Sequence, residues 1–178
     1  MLFYKEDKNF LSQIQKQKWE NLLNNFSFPF YLDDAKADFP NQYTYLSHIL
    51  LHRSQDQKPF LGSFNSEHAP YFVSLLHSFC KKNNIVVAKI HRMAINLTFN
   101  LGKIKPHIHT DHQHDYYHLL IYLNDCDPKA CTIILNKKNK IIKRIQPEKY
   151  KGVCFNKHYH YHLYPKKGCR IVAVYTLS

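Results

Sequence analysis

From Ile85 to the C-terminus, apolar and polar residues alternate in short runs separated by turn residues, a period-two pattern that reads as β-strand. Eight runs are predicted: Ile85–Ile90, Met93–Phe99, Tyr117–Leu123, Cys131–Leu135, Lys140–Ile145, Gly152–Phe155, His158–Leu163 and Arg170–Leu177. Turn signals divide them at Asn100–Gly102, Asn124–Lys129, Asn136–Asn139, Pro147–Lys151 and Pro165–Gly168. The first half reads differently. Asn9–Leu23 places Phe10, Ile14, Trp19, Leu22 and Leu23 at roughly helical spacing. Phe28–Leu32 is extended, and Tyr43–Leu51 fits neither period cleanly. His68–Lys82 is a predicted helix with Tyr71, Leu75, Leu76 and Phe79 on one face and Pro70 in its first turn. Regular short strands of this kind predict a mainly β sandwich or barrel.

A chain of 178 residues, 44% hydrophobic and 15% aromatic, has the material for one packed core. One domain is expected over 1–178. Residues 1–85 give a helical and irregular N-terminal support and 86–178 the β core. Only four glycines are present, so Asn, Asp, Pro and Lys must fill most turns. No apolar run approaches the length of a transmembrane helix, and no membrane association is expected.

Five cysteines, no CxxC pair and a charged start (Met1-Leu-Phe-Tyr-Lys-Glu-Asp-Lys8) lead us to expect free thiols in a reducing cytoplasm. If the gene is carried by a phage, that cytoplasm is the host's. The net charge of +12 leaves an anionic partner open. It is carried by scattered lysines, without an arginine-rich arm or zinc-finger spacing, so nucleic acid is possible but not favoured.

The candidate chemistry lies in the run Pro106-His-Ile-His-Thr-Asp-His-Gln-His-Asp115 and in the trio His158, His160 and His162. On extended backbone, residues at i and i+2 share a side, so His109 and Asp111 can meet one ion. A third ligand from another strand would complete a 2-His-1-carboxylate triad, which leaves coordination positions open for Fe(II) oxygen chemistry. A His-x-Asp alone is weak evidence in a chain with 13 histidines, and a solvated His-rich loop would produce one too. If the turn at Pro165–Gly168 closes a tight hairpin, His160 faces Arg170 across it. A ligand that chelates the metal at one end and carries a carboxylate at the other could then be held by both.

His-x-Asp, then Leu119-Leu-Ile-Tyr-Leu-Asn124, then His160-(x9)-Arg170 together resemble the 2-oxoglutarate/Fe(II)-dependent oxygenases, above all the prolyl-4-hydroxylase-like group and the small oxygenases of marine phages. The likeness covers roughly Arg92 to Leu177. It includes Ile145-Gln-Pro-(x4)-Gly-Val-Cys-Phe155 and the closing segment Tyr164–Tyr175.

The resemblance implies a double-stranded β-helix, a jelly roll with supporting helices. It implies His109, Asp111 and His160 as ligands of Fe(II), with no catalytic side chain beyond them. Tyr122 and Arg170 would bind the distal carboxylate of 2-oxoglutarate. Alternation cannot separate His158, His160 and His162, and it is the family's interval to the arginine that selects His160. His107, His112, His114 and His118 are expected behind the ligands or at the surface, and His118 stands where many relatives have threonine. Two departures are visible: Lys129-Ala-Cys131 replaces a usual Gly-Gly, and a tyrosine expected near Asn96–Phe99 is absent.

The implied reaction consumes O2 and 2-oxoglutarate and hydroxylates a substrate C–H bond. A prolyl-type peptidyl side chain is the favoured substrate, with nucleic acid or a small metabolite as alternatives. Outside the oxygenases, a metal-binding cupin using His107 and His109 and a basic nucleic-acid-binding module remain as readings. The first lacks the downstream glutamate that a cupin needs, since no Glu occurs between Glu67 and Glu148.

Overall fold

The computed structural model describes residues 1–34, 44–52, 64–100, 102 and 107–178. Tyr43, which opens the ambiguous stretch, Leu101 in the Asn100–Gly102 turn and Pro106, which opens the His-rich run, lie outside the described residues. The described elements run β1 (Tyr4–Asp7), α1 (Gln13–Asn24), β2 (Tyr31–Asp34), β3 (Thr44–Leu51), α2 (Ala69–Lys82), β4 (Ile90–Phe99), β5 (Tyr117–Tyr122), β6 (Thr132–Leu135), β7 (Ile141–Ile145), β8 (Gly152–Asn156), β9 (Tyr159–His162) and β10 (Cys169–Leu177). The strands form two antiparallel sheets. The large one has the order β1-β8-β5-β10-β4-β3-β2, and the small one β7-β6-β9. An isolated bridge between His109 and His160 extends the small sheet past β9. This is the expected mainly β double-stranded β-helix.

Alternation in the large sheet separates two cores. Met93, Ile95, Leu119, Ile121, Ile171, Ala173 and Tyr175 face α1 and α2 and pack with Trp19, Phe72, Leu75 and Phe79. The residues between them, Leu120, Tyr122, Val172 and Val174, face the small sheet and pack with Ile134, Ile145, Val153 and Phe155. A one-residue slip would exchange these two sets, so the register is strongly fixed. The helices are tied down by polar anchors as well. Ser12 and Gln15 form a reciprocal capping box on α1. Trp19 Nε1 donates to the Leu123 carbonyl at 2.8 Å, and Tyr175 Oη donates to the Phe72 carbonyl at 3.0 Å. Where β8 begins, Gly152 lets α2 approach. A Cβ there would lie 2.5 Å from the Phe79 ring and 2.8 Å from the Phe10 ring.

Three sequence expectations are corrected. Ile85–Ile90 is not a strand: its residues lead into β4, which starts at Ile90. Two of those residues, Ala88 and Lys89, instead donate their backbone N–H groups to the Ser178 carbonyl. Residues 9–12 precede α1 rather than opening it, because Ser12 caps the helix and Phe10 and Leu11 turn into the core. The third is the last hairpin. β9 pairs with β6, placing His160 against Ile134, while β10 pairs with β4 and β5, placing Arg170 against Thr98. The Pro165–Gly168 segment crosses between sheets, so His160 and Arg170 are not cross-strand neighbours. They face the same interior from opposite walls.

The N-terminal half contributes more than helices. β1 caps one edge of the large sheet, and β2 and β3 extend the other. Of the stretch Tyr43–Leu51, ambiguous in sequence, Thr44–Leu51 forms β3. All five cysteines are free thiols. Among the described residues, no helix is long and apolar enough to cross a membrane.

Candidate metal centre

His109, Asp111 and His160 each offer one ligand atom, and these atoms lie within 4.8 Å of one another. They form the one such group of His, Cys, Asp or Glu side chains among the described residues. The backbone explains the convergence. His109 and His160 exchange both main-chain hydrogen bonds, at 3.0 and 3.1 Å, so the two imidazoles leave adjacent strands side by side. Each ring is oriented by the carbonyl two residues before it. His109 Nδ1 lies 3.0 Å from the His107 oxygen, and His160 Nδ1 lies 3.0 Å from the His158 oxygen. A carbonyl only accepts, so each Nδ1 carries the proton and each Nε2 presents its lone pair.

Asp111 is deeply buried, its side chain 1% exposed, which sets aside a solvated His-rich loop. Arg92 on β4 donates through Nη1 to Oδ1 at 3.2 Å. Oδ2 lies 3.6 Å from His160 Nε2 and 3.4 Å from His118 Nδ1. The Asp111 N–H is anchored on Tyr116 Oη at 2.8 Å.

His118 is buried beside the triad. Its ring centroid is 4.7 Å from that of His160, and it packs on Phe155. Neither ring nitrogen is hydrogen-bonded, and its approach to Asp111 lacks hydrogen-bonding geometry. Burial holds this imidazole well below its usual pKa, against the pull of Asp111. The other histidines flank the centre. His107 stacks on His109 with centroids 5.6 Å apart, and His112 turns away to bond Thr176 Oγ1 at 2.7 Å. His114 stacks on His112 and packs at a tilt against His91.

Deeper between the sheets lies a second polar group. Arg170 Nη2 donates to Thr132 Oγ1 at 2.8 Å, and Tyr122 Oη bonds the same hydroxyl at 2.9 Å. The Arg170 guanidinium carbon sits 5.3 Å above the Tyr122 ring. Both residues are buried, and burial raises the Tyr122 phenol above its usual pKa. Arg170 Nε is buried without a hydrogen-bond partner. No carboxylate among the described residues pairs with this guanidinium. A buried cation without a counter-charge is costly, so the geometry suits an incoming anion. His162 pairs with Thr132, whose hydroxyl accepts from Arg170. The histidine is half-buried, and its Nε2 is buried and unbonded. Burial first, and then the Arg170 charge, hold this imidazole well below its usual pKa.

His109, Asp111, His160, Tyr122 and Arg170 therefore face one interior, the triad at one end and Tyr122 with Arg170 at the other. Arg92, Thr132 and Tyr116 were not picked out in sequence. Arg92, the one Arg, Lys, Asp or Glu in strand Ile90–Phe99, was the available signal for the first. Thr132 and Tyr116 carried none.

The donor set fits a divalent transition metal. Two neutral imidazoles and one carboxylate on one side of an ion leave the remaining positions open.

No protein-family model matches the sequence, and no curated protein matches it. Solved structures do match the fold. An oxidoreductase of the 2OG-Fe(II) oxygenase family from Burkholderia pseudomallei aligns with a TM-score of 0.74 at 14% identity, over 99% of this chain and 84% of that one. A prolyl hydroxylase from Trichoplax adhaerens, in complex with a hypoxia inducible factor oxygen degradation domain peptide fragment, aligns at 0.64 and 15% identity, over 98% and 82%. The viral collagen prolyl hydroxylase of Paramecium Bursaria Chlorella virus-1, in its 2OG complex, aligns at 0.57 and 14% identity, over 98% and 95%. The chain is similar to these oxygenases in fold over nearly its whole length.

Proposed function

We propose that this protein is an Fe(II)- and 2-oxoglutarate-dependent dioxygenase, folded as one domain over residues 1–178. His109, Asp111 and His160 would hold the iron, and Arg170 with Tyr122 would hold the far carboxylate of the co-substrate. Bound there, iron and 2-oxoglutarate supply oxygen activation, in which O2, 2-oxoglutarate and a substrate C–H yield succinate, CO2 and the hydroxylated product.

The protein's part is positional. The bridge between His109 and His160 fixes the two imidazoles. Arg92 neutralises and orients Asp111, leaving Oδ2 on the His160 side. Thr132 holds the Arg170 fork and the Tyr122 phenol on one hydroxyl. Phe155, Leu120, Val172 and Val174 keep the intervening interior apolar and exclude water from competing with the co-substrate.

One observation carries the reading: a triad of metal-ligand atoms and a buried arginine lacking a carboxylate partner share one interior. A metal site alone would not need the second feature. The test is anaerobic titration of Fe(II) and 2-oxoglutarate, followed by succinate release when O2 is admitted. Neither metal-dependent 2-oxoglutarate binding nor turnover would refute the assignment.

For the substrate we propose a peptidyl side chain of prolyl type, since two of the aligned structures are prolyl hydroxylases and one holds a peptide. Nucleic acid or a small metabolite is the alternative. Incubation with Fe(II), 2-oxoglutarate and a lysate of the source should yield proteins heavier by one oxygen atom. Oxygen found only on nucleosides or metabolites would refute the peptidyl choice and leave the oxygenase reading standing.

A further inference from the structure

Strand β9 offers two side chains to the barrel interior. His160 pairs with Ile134, and His162 pairs with Thr132. Directly opposed residues of an antiparallel pair share a face. Ile134 belongs to the interior core, so its partner His160 faces inward toward the metal centre. Thr132 bonds Arg170 and Tyr122, so its partner His162 faces the arginine end. Two residues along a strand advance about 6.8 Å. β9 therefore presents one imidazole at each end of the space that a short keto diacid would span.

His162 Nε2 is buried and makes no hydrogen bond, and Arg170 Nε is in the same condition. Two buried nitrogens lack hydrogen-bond partners at the same end, and the one that can only donate, Arg170 Nε, suits a ligand rich in acceptors. A carboxylate supplies acceptors only. With the ring proton on Nε2, His162 would offer it a donor beside the guanidinium.

We infer that His162 binds the distal carboxylate of the co-substrate through Nε2–H, as a donor additional to Arg170 and Tyr122. The inference rests on the oxygenase reading. It makes His162 a residue that selects keto acids carrying a far carboxylate, and it gives the ring no place among the metal ligands.

The test is calorimetric titration of the full chain loaded with Mn(II), using 2-oxoglutarate and 2-oxobutanoate, which lacks the distal carboxylate. His162→Leu should weaken 2-oxoglutarate binding about tenfold, the effect of one hydrogen bond to a charged group. It should leave 2-oxobutanoate and Mn(II) binding unchanged. His162→Gln, which keeps an amide donor near the position of Nε2, should recover most of the loss. Equal weakening of both acids would reduce the ring to cavity lining, and loss of Mn(II) binding would make it a ligand. Either overturns the inference. So does wild-type affinity for 2-oxoglutarate in His162→Leu; if Arg170→Ala still loses that affinity, the oxygenase reading survives. A wild-type protein that binds Mn(II) but no 2-oxoglutarate overturns both.

Discussion

His109 and His160 are joined through the main chain: each donates its N–H to the other's carbonyl, at 3.1 and 3.0 Å. Fifty-one residues of sequence separate them, yet the bridge fixes the spacing of their rings before any ion arrives. His162 has no such link and lies two residues farther along β9, opposite Thr132. His109→Ala, Asp111→Ala and His160→Ala should therefore each cost more metal affinity than the roughly 10–100-fold that loss of an outer-shell partner costs. His162→Ala should leave metal binding nearly intact. Mn(II) or Co(II) titration checks this. Loss of binding in His162→Ala with retention in His160→Ala would reverse the assignment of the distal ligand.

Arg170 and Tyr122 meet on the Thr132 hydroxyl, away from the triad's own hydrogen bonds. Arg170→Ala or Tyr122→Phe should then weaken 2-oxoglutarate while sparing Mn(II). A lost charge-assisted contact is worth about 1.5–3 kcal/mol, or roughly ten- to a hundredfold in affinity. Arg170→Lys should recover little, because an ammonium cannot reproduce the guanidinium fork. Unchanged 2-oxoglutarate affinity in Arg170→Ala would remove the main support for the co-substrate.

The parts of this site legible in sequence are those carried by strand alternation and by motif. Tyr117–Leu123 reads as a strand, and its alternate residues His118, Leu120 and Tyr122 do share the inner face. The His-x-Asp step and the interval from His160 to Arg170 name four residues that the fold brings to one interior. Pairing between strands was not legible. The turn at Pro165–Gly168 has the signals of a hairpin, but nothing local says that β9 and β10 join different sheets. β1 was missed because four residues, Tyr4–Asp7, are too few for a period to show, and its partners lie about 150 residues away. Arg92 was passed over for a similar reason: a charge in a strand declares its partner only when the strand carrying Asp111 is in place.

Gly152 is a packing requirement rather than a turn. An added methyl would meet Phe79 at 2.5 Å and Phe10 at 2.8 Å, and those two rings already pack edge to face with centroids 5.1 Å apart. Phe79 is fully buried and has no room to retreat. Gly152→Ala should cost about 1–3 kcal/mol of stability. That corresponds to a fall of roughly 2–12 °C in Tm for a chain of this size. The strain falls on the helix side of the sheet, away from Arg170, so 2-oxoglutarate affinity below the transition should be unchanged. Thermal unfolding together with calorimetry separates the two effects, and a wild-type Tm would show that α2 can shift.

Arg92 and Asp111 form a buried pair, with Arg92 Nη1 3.2 Å from Oδ1. Removing one member of such a pair leaves the other charge uncompensated, at a cost of about 3–5 kcal/mol. Arg92→Met keeps much of the side-chain volume and removes the charge. In the metal-free protein, Asp111 would then lose the guanidinium that lies 3.2 Å from Oδ1 while its side chain stays buried. A bound divalent ion supplies positive charge at the same carboxylate. The variant should therefore be strongly destabilised without metal and much less so with saturating Mn(II). The rise in Tm on adding Mn(II) should be larger for Arg92→Met than for the wild type. Equal deficits with and without the ion would mean that Arg92 supports the strand rather than the charge of Asp111, and that Asp111 gains no compensation from metal.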